Sequence, residues 1–109
     1  MTTLPRSKSR CGISYHERGT GRPLVLLHGV GLCADVWYPQ IKAFSHLYRV
    51  IAPDLPGHGN SILLADDTPE IAHFTDLIAQ FMEEIVAGPA IVIGHSLGAL
   101  ISLDLGVRY

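Results

Sequence analysis

The chain has 109 residues, 48% of them apolar and 17% charged, enough for one globular core and too apolar for disorder. A net charge of −2 with no basic stripe excludes the electrostatic footprint of a nucleic-acid binder, and no apolar run approaches the roughly 18 residues a membrane span needs. Cys11 and Cys33 lack the spacing of a zinc site or a disulfide framework, and the six histidines show no close ligand spacing. A cytoplasmic chain with two free thiols, no metal and no cofactor is expected, with a small molecule or a protein as its partner.

Residues 1–12 read as a polar arm, in which basic residues outnumber acids and the expectation is solvation. Basic residues without an apolar stretch behind them do not make a secretory signal. Ile13 to Glu17 alternates apolar with polar, the pattern of a half-exposed strand, and RGTGRP makes a turn. Leu24 to Leu27 is a continuous apolar run, as in a strand buried on both faces of a parallel sheet. Trp37, Ile41 and Phe44 then recur at helical spacing, with Asp35 as a cap and Pro39 in the first turn; Trp37 is read as core.

Tyr48 to Ala52 is the next strand, and PDLPGHGNS the loop after it. Thr68, Pro69 and Glu70 read as cap, first position and dipole partner of a helix whose Ile71, Phe74, Ile78, Phe81 and Ile85 share one stripe. Gly88-Pro89 ends it; Ala90 to Ile93 is a third buried-type strand, and Ala99 to Val107 a last helix. Strands alternating with helices predict an α/β chain with a mostly parallel sheet and flanking helices. Functional loops then lie at the carboxyl ends of the strands, where HGVG, DLPGHGNS and GHSLG all fall.

In GHSLG, residues 94–98, the pattern G-x-S-x-G follows a buried strand and opens a helix. Such a turn strains the serine backbone, and the glycines on either side let strand and helix approach without a Cβ clash. The hydroxyl is presented at a helix N-terminus, where free N–H groups favour developing negative charge.

Three stretches together resemble the α/β-hydrolase superfamily. LVLLHGVG resembles its strand and His-Gly-x oxyanion loop, VIAPDLPGHGNS its next strand and loop, and IVIGHSLGALISL its nucleophile strand, elbow and helix, in the family's order over residues 13–109. The resemblance implies Ser96 as the catalytic nucleophile and the backbone N–H groups of Val30 and Leu97 as the oxyanion hole. His28, Gly29, Gly94, His95 and Gly98 are then the supporting loop residues, with His28 orienting rather than acting as base and His95 pointing away from Ser96. Asp54 is read as pinning its own loop and His58 as a surface residue. A serine at 96 sets aside the branches with an aspartate nucleophile, haloalkane dehalogenases and epoxide hydrolases. Ester, thioester, lactone or C–C hydrolysis stays open.

A serine needs a base and an acid behind it, in this superfamily in the order Ser, Asp or Glu, His. After Ser96 the sequence holds one acid, Asp104, two turns into the helix, and no histidine. The expectation is therefore an N-terminal fragment of a serine hydrolase acting on a small ester or lactone through an acyl-enzyme, inactive alone. Either a C-terminal half or a partner chain would cover the open edge at AIVI. The alternative from another class is a non-catalytic α/β binding or interaction module.

Overall fold

A computed structural model describes residues 5–64 and 69–109. Nine elements follow in chain order: β1 (Ser7–Lys8), β2 (Ser14–Arg18), β3 (Arg22–Leu27), a 3-10 turn (Ala34–Trp37), α1 (Tyr38–Phe44), β4 (Tyr48–Pro53), α2 (Ile71–Ile85), β5 (Ile91–Gly94) and α3 (Leu97–Arg108). The strands form one open sheet in the order β1-β2-β4-β3-β5. β4, β3 and β5 run parallel, Val25 standing opposite Ile51 on one side and Val92 on the other. β2 and β1 add antiparallel at the far edge, so the sheet is mixed with a parallel half.

The period-two geometry of a strand divides the side chains between two faces. From β3, Val25 and Leu27 join Ile51, Ile78, Phe81, Ile101 and Leu105 in the core beneath α2 and α3. Leu24 and Leu26 join Val50, Ala52, Ala34 and Ile41 on the opposite face under α1, with Trp37 packed against them, as the sequence led one to expect of Trp37. The stripe of α2 is confirmed: Ile78 and Phe81 are buried, and Ile71, Phe74 and Ile85 pack on the same cluster. Full burial of a side chain such as Phe81, which meets Tyr15 edge-on at 5.2 Å, contributes about 1.5–3 kcal/mol.

Several boundaries differ from the sequence reading, each for a physical reason. α2 starts at Ile71 and is capped by Glu70, whose carboxylate accepts from the His73 N–H while His73 Nδ1 accepts the Glu70 N–H at 2.8 Å. Pro69 thus precedes the helix, and Thr68 lies outside the described residues. Asp35 does not cap α1: it sits within the 3-10 turn, which carries no side-chain cap bond, and its carboxylate turns to Arg6 and His16. The strand at Ser14–Arg18 is not half-exposed, because Ser14, Tyr15 and His16 are all buried, His16 beneath the arm at Pro5. The arm itself is not wholly solvated, since Ser7–Lys8 pair with Lys8 opposite Ser14 and Arg6 folds inward.

Candidate functional site

β5 delivers the chain to the elbow. Its last ladder bond comes from the His95 N–H to the Leu27 carbonyl at 3.0 Å, which carries the β3 pairing one residue past Gly94. Ser96 then takes φ 56° and ψ −116°, a left-side conformation that costs a non-glycine residue on the order of 1–3 kcal/mol. It is the N-cap of α3, yet its side chain makes no capping bond, so the exposed hydroxyl is not committed to the helix. Its carbonyl starts the helix, accepting from Ala99 at 2.9 Å and Leu100 at 3.2 Å.

Why glycine stands at 94 and 98 is a matter of space. A Cβ on Gly94 would run into the Gly98 carbonyl, and one on Gly98 would lie 2.6 Å from the Leu27 carbonyl carbon and 2.8 Å from the His28 oxygen. Strand and helix therefore touch through bare backbone. The HGVG loop closes on the same point: a Cβ on Gly29 would stand 3.2 Å from the Ser96 Cβ and 3.0 Å from the His95 ring. Val30 follows, 68% exposed, and the loop turns through Gly31 at φ 76° with the Leu32 N–H donating to the Gly29 carbonyl at 3.2 Å. Among the described residues, no hydrogen bond uses the N–H of Val30 or of Leu97. The first N–H groups of a helix have no partner within it, so Leu97 presents a donor beside Ser96.

The loop is fastened at both ends. At its start, His28 is fully buried, donating from Nδ1 to the Gly29 carbonyl at 2.7 Å and accepting the Leu55 N–H at Nε2 at 2.9 Å. Both ring nitrogens are thus occupied, and burial holds the His28 pKa below its ordinary value, which keeps the ring neutral. At its end, the Ala34 N–H donates to Asp54 Oδ1 at 2.8 Å. Asp54, also fully buried, holds its own loop as well: the Asn60 N–H reaches Oδ2 at 3.0 Å and Ser61 Oγ donates to the Asp54 carbonyl at 2.7 Å. His58 is partly covered, bonded to the Pro56 carbonyl at 3.0 Å and edge-on to His28 at 5.2 Å.

The sequence reading missed one participant. Arg6 donates through Nη1 to Asp54 and through Nη2 to Asp35 at 2.6 Å, and His16 Nε2 lies 2.6 Å from the same Asp35 oxygen. These partners lie 48 and 29 residues along the chain from Arg6, and no local pattern signals them. Asp104, the sole acid after Ser96, lies on α3 and is ion-paired with Arg108 at 2.9 Å, which holds its carboxyl below the usual range.

The model of the alpha/beta hydrolase family matches residues 24–108. The (E)-2-((N-methylformamido)methylene)succinate hydrolase of Acinetobacter baylyi is 45% identical over 105 residues, 96% of this chain and 39% of that protein. The 2-(acetamidomethylene)succinate hydrolase of Mesorhizobium japonicum is 32% identical over 104 residues, 92% of this chain and 36% of that one. A thermophilic esterase from Thermogutta terrifontis has a similar structure, with a TM-score of 0.83 at 26% identity over 89% of this chain and 36% of the esterase. The chain thus spans less than half the length of each of these relatives, and its strands and helices are those of the N-terminal portion of their fold. By family model, sequence and architecture together, this chain belongs to the alpha/beta hydrolase family.

Proposed function

We propose that this chain carries the nucleophile and the oxyanion hole of a serine hydrolase that cleaves a carboxylic ester, lactone or similar acyl bond. The observation that carries the reading is the backbone of Ser96: a strained residue at a helix N-terminus, its side chain uncommitted, with the HGVG loop against its Cβ. Strain of this kind persists only where the surrounding structure enforces it. A binding module has no use for it.

In this reading Ser96 Oγ adds to the acyl carbonyl, and the N–H groups of Val30 and Leu97 donate to the oxygen on which negative charge develops. Each such donor contributes on the order of 10² to 10³ in rate. Collapse of the tetrahedral species expels the alcohol, or the amine of an N-acyl substrate such as the names of the two succinate hydrolases describe, and leaves an acyl-enzyme for water to release. The base that takes the serine proton is not His28, whose nitrogens are both occupied, and the orienting acid is not Asp104, which faces Arg108. Both come from residues outside these 109, in a further part of the protein or a partner chain that also covers the open side of β5. A cytoplasmic setting goes with the two unpaired cysteines; among the described residues no helix is long and apolar enough to cross a membrane.

The 109-residue chain should hydrolyse p-nitrophenyl acetate no faster than its Ser96→Ala variant. Coding sequence downstream of codon 109, where it adds a strand-end acid and a late histidine in frame, should yield a protein whose ester turnover falls on the order of 10⁴-fold or more with Ser96→Ala. Turnover by the longer protein that survives Ser96→Ala refutes the nucleophile. Strong Ser96-dependent turnover by the 109 residues alone refutes the missing base.

A further inference from the structure

We infer that Arg6, in the N-terminal arm, is a positioning residue for the loop that carries Val30. The inference rests on the proposal that the Val30 N–H is an oxyanion donor, and its physical basis is the polar frame around that loop.

The loop from His28 to Ala34 has two fixed points. His28 holds the first through its bonds to Gly29 and Leu55, and Asp54 holds the second by accepting the Ala34 N–H. A fully buried carboxylate that among the described residues meets two backbone N–H groups, from Ala34 and Asn60, is costly without a cation. Arg6 is that cation. Its guanidinium spans Asp54, on the loop after β4, and Asp35, next to Ala34, so one planar fork ties the two loops together. Arg6 reaches this place because Ser7 and Lys8 pair with Tyr15 and Ser14, which sets the residue before them over the sheet edge. His16 steadies both ends of the arrangement, with Nδ1 bonded to the Pro5 carbonyl at 2.9 Å and Nε2 against Asp35. The arm therefore acts on Val30 at a distance, through Asp54, Asp35 and Ala34.

The test is residue-resolved amide exchange on the protein and on Arg6→Met, Arg6→Lys and Arg6→Met/Asp54→Asn. Arg6→Met should speed exchange of the Ala34 and Asn60 amides at least about tenfold beyond any change at Val25 and Ile51 in the strands, since those two N–H groups meet Asp54 directly. Arg6→Lys should recover part of the protection, a single ammonium being unable to span both carboxylates. The double variant should exchange more slowly at Ala34 than Arg6→Met, because the unpaired buried charge is gone. Ala34 and Asn60 amides that keep pace with the strands overturn the inference, as does a double variant no better than Arg6→Met. In the turnover-competent hydrolase, Arg6→Met should lower kcat about tenfold with KM nearly unchanged. Faster loop exchange with kcat untouched would leave the latch standing and remove Val30 as an oxyanion donor, which separates failure of the latch from failure of the functional reading.

Discussion

Replacing Gly98 by alanine sets two effects of opposite sign against each other. Gly98 is the second residue of α3, where alanine is preferred over glycine by about 1 kcal/mol on helix propensity alone. Against that, the added Cβ would lie 2.6 Å from the Leu27 carbonyl carbon and 2.8 Å from the His28 oxygen, where ordinary contact begins at 3.4 Å. Both obstacles are backbone, one of them in the middle strand of the parallel half, so neither can swing aside. The helix must back away from β3, loosening Ile101 and Leu105, which α3 contributes to the core. Overpacking of this kind costs about 1–3 kcal/mol, and lost dispersion beneath the helix adds to it. The clash outweighs propensity, and Gly98→Ala should destabilise by about 2 kcal/mol or more, read as a lower urea midpoint at unchanged m-value. Gly106, in the same helix, has nothing within 4 Å of its notional Cβ, so Gly106→Ala should stabilise by up to about 1 kcal/mol. If both variants gain stability, the close approach of α3 to β3 is not what fixes glycine at 98.

Ser96→Gly should be more stable than Ser96→Ala by about 1 kcal/mol or more, since only glycine relieves φ 56°; equal urea midpoints would show that the elbow is not strained. For His28 the direction of the pH effect follows from burial, which lowers its pKa from 6.5. As pH falls, the unfolded chain takes up the proton first, so the stability due to the neutral buried ring is present above about pH 6.5 and is lost below it, by at most about 1.4 kcal/mol per pH unit. Unfolding free energy measured from pH 7.5 to 5 should therefore fall more steeply for the wild type than for His28→Gln. Parallel curves would contradict it.

Sequence legibility followed the range of the interactions. The strands at Leu24–Leu27 and Tyr48–Ala52 and the stripe of α2 announce themselves because burial on one or both faces leaves a periodic trace within a few residues. The glycines of GHSLG were legible for the same reason, as a local demand for space. The start of α2 was displaced because Glu70 and His73 form a reciprocal cap that competes with the Thr68-Pro69 signal. Asp35 has the chemistry of a cap, but it was claimed by Arg6 of the arm and His16 of β2. The pairing of β1 left no trace in an arm of polar residues, both of whose strand positions are exposed. That His28 and Asp54 fasten opposite ends of one loop was out of reach, because their partners at Leu55 and Ala34 are joined to them by the fold alone.

The two edges of the sheet are finished differently, and the difference bears on where the missing base would enter. At the β1 edge the arm is tied down by Arg6, and Glu84 Oε2 takes the Arg10 N–H at 2.7 Å. At the β5 edge Ile93 is 45% exposed, and α3 turns Leu100, Leu103 and Val107 outward. A groove of about 860 Å³ runs between α2 and α3, floored by Ala79, Met82, Ala90, Val92 and Leu105. Size alone would make it the substrate site, yet no residue of the HGVG loop or the elbow lines it, and Ser96 stands outside it. It has the character of a packing surface instead: an apolar floor rimmed by Asp76, Gln80, Glu83 and Ser102, between two helices and beside an open strand. The elbow stands at the end of that same strand, so chain that paired with β5 in the parallel sense of β3 would end its strand at the level of Ser96. In the proposed hydrolase, covering the exposed core and bringing a base to the serine are then one structural event.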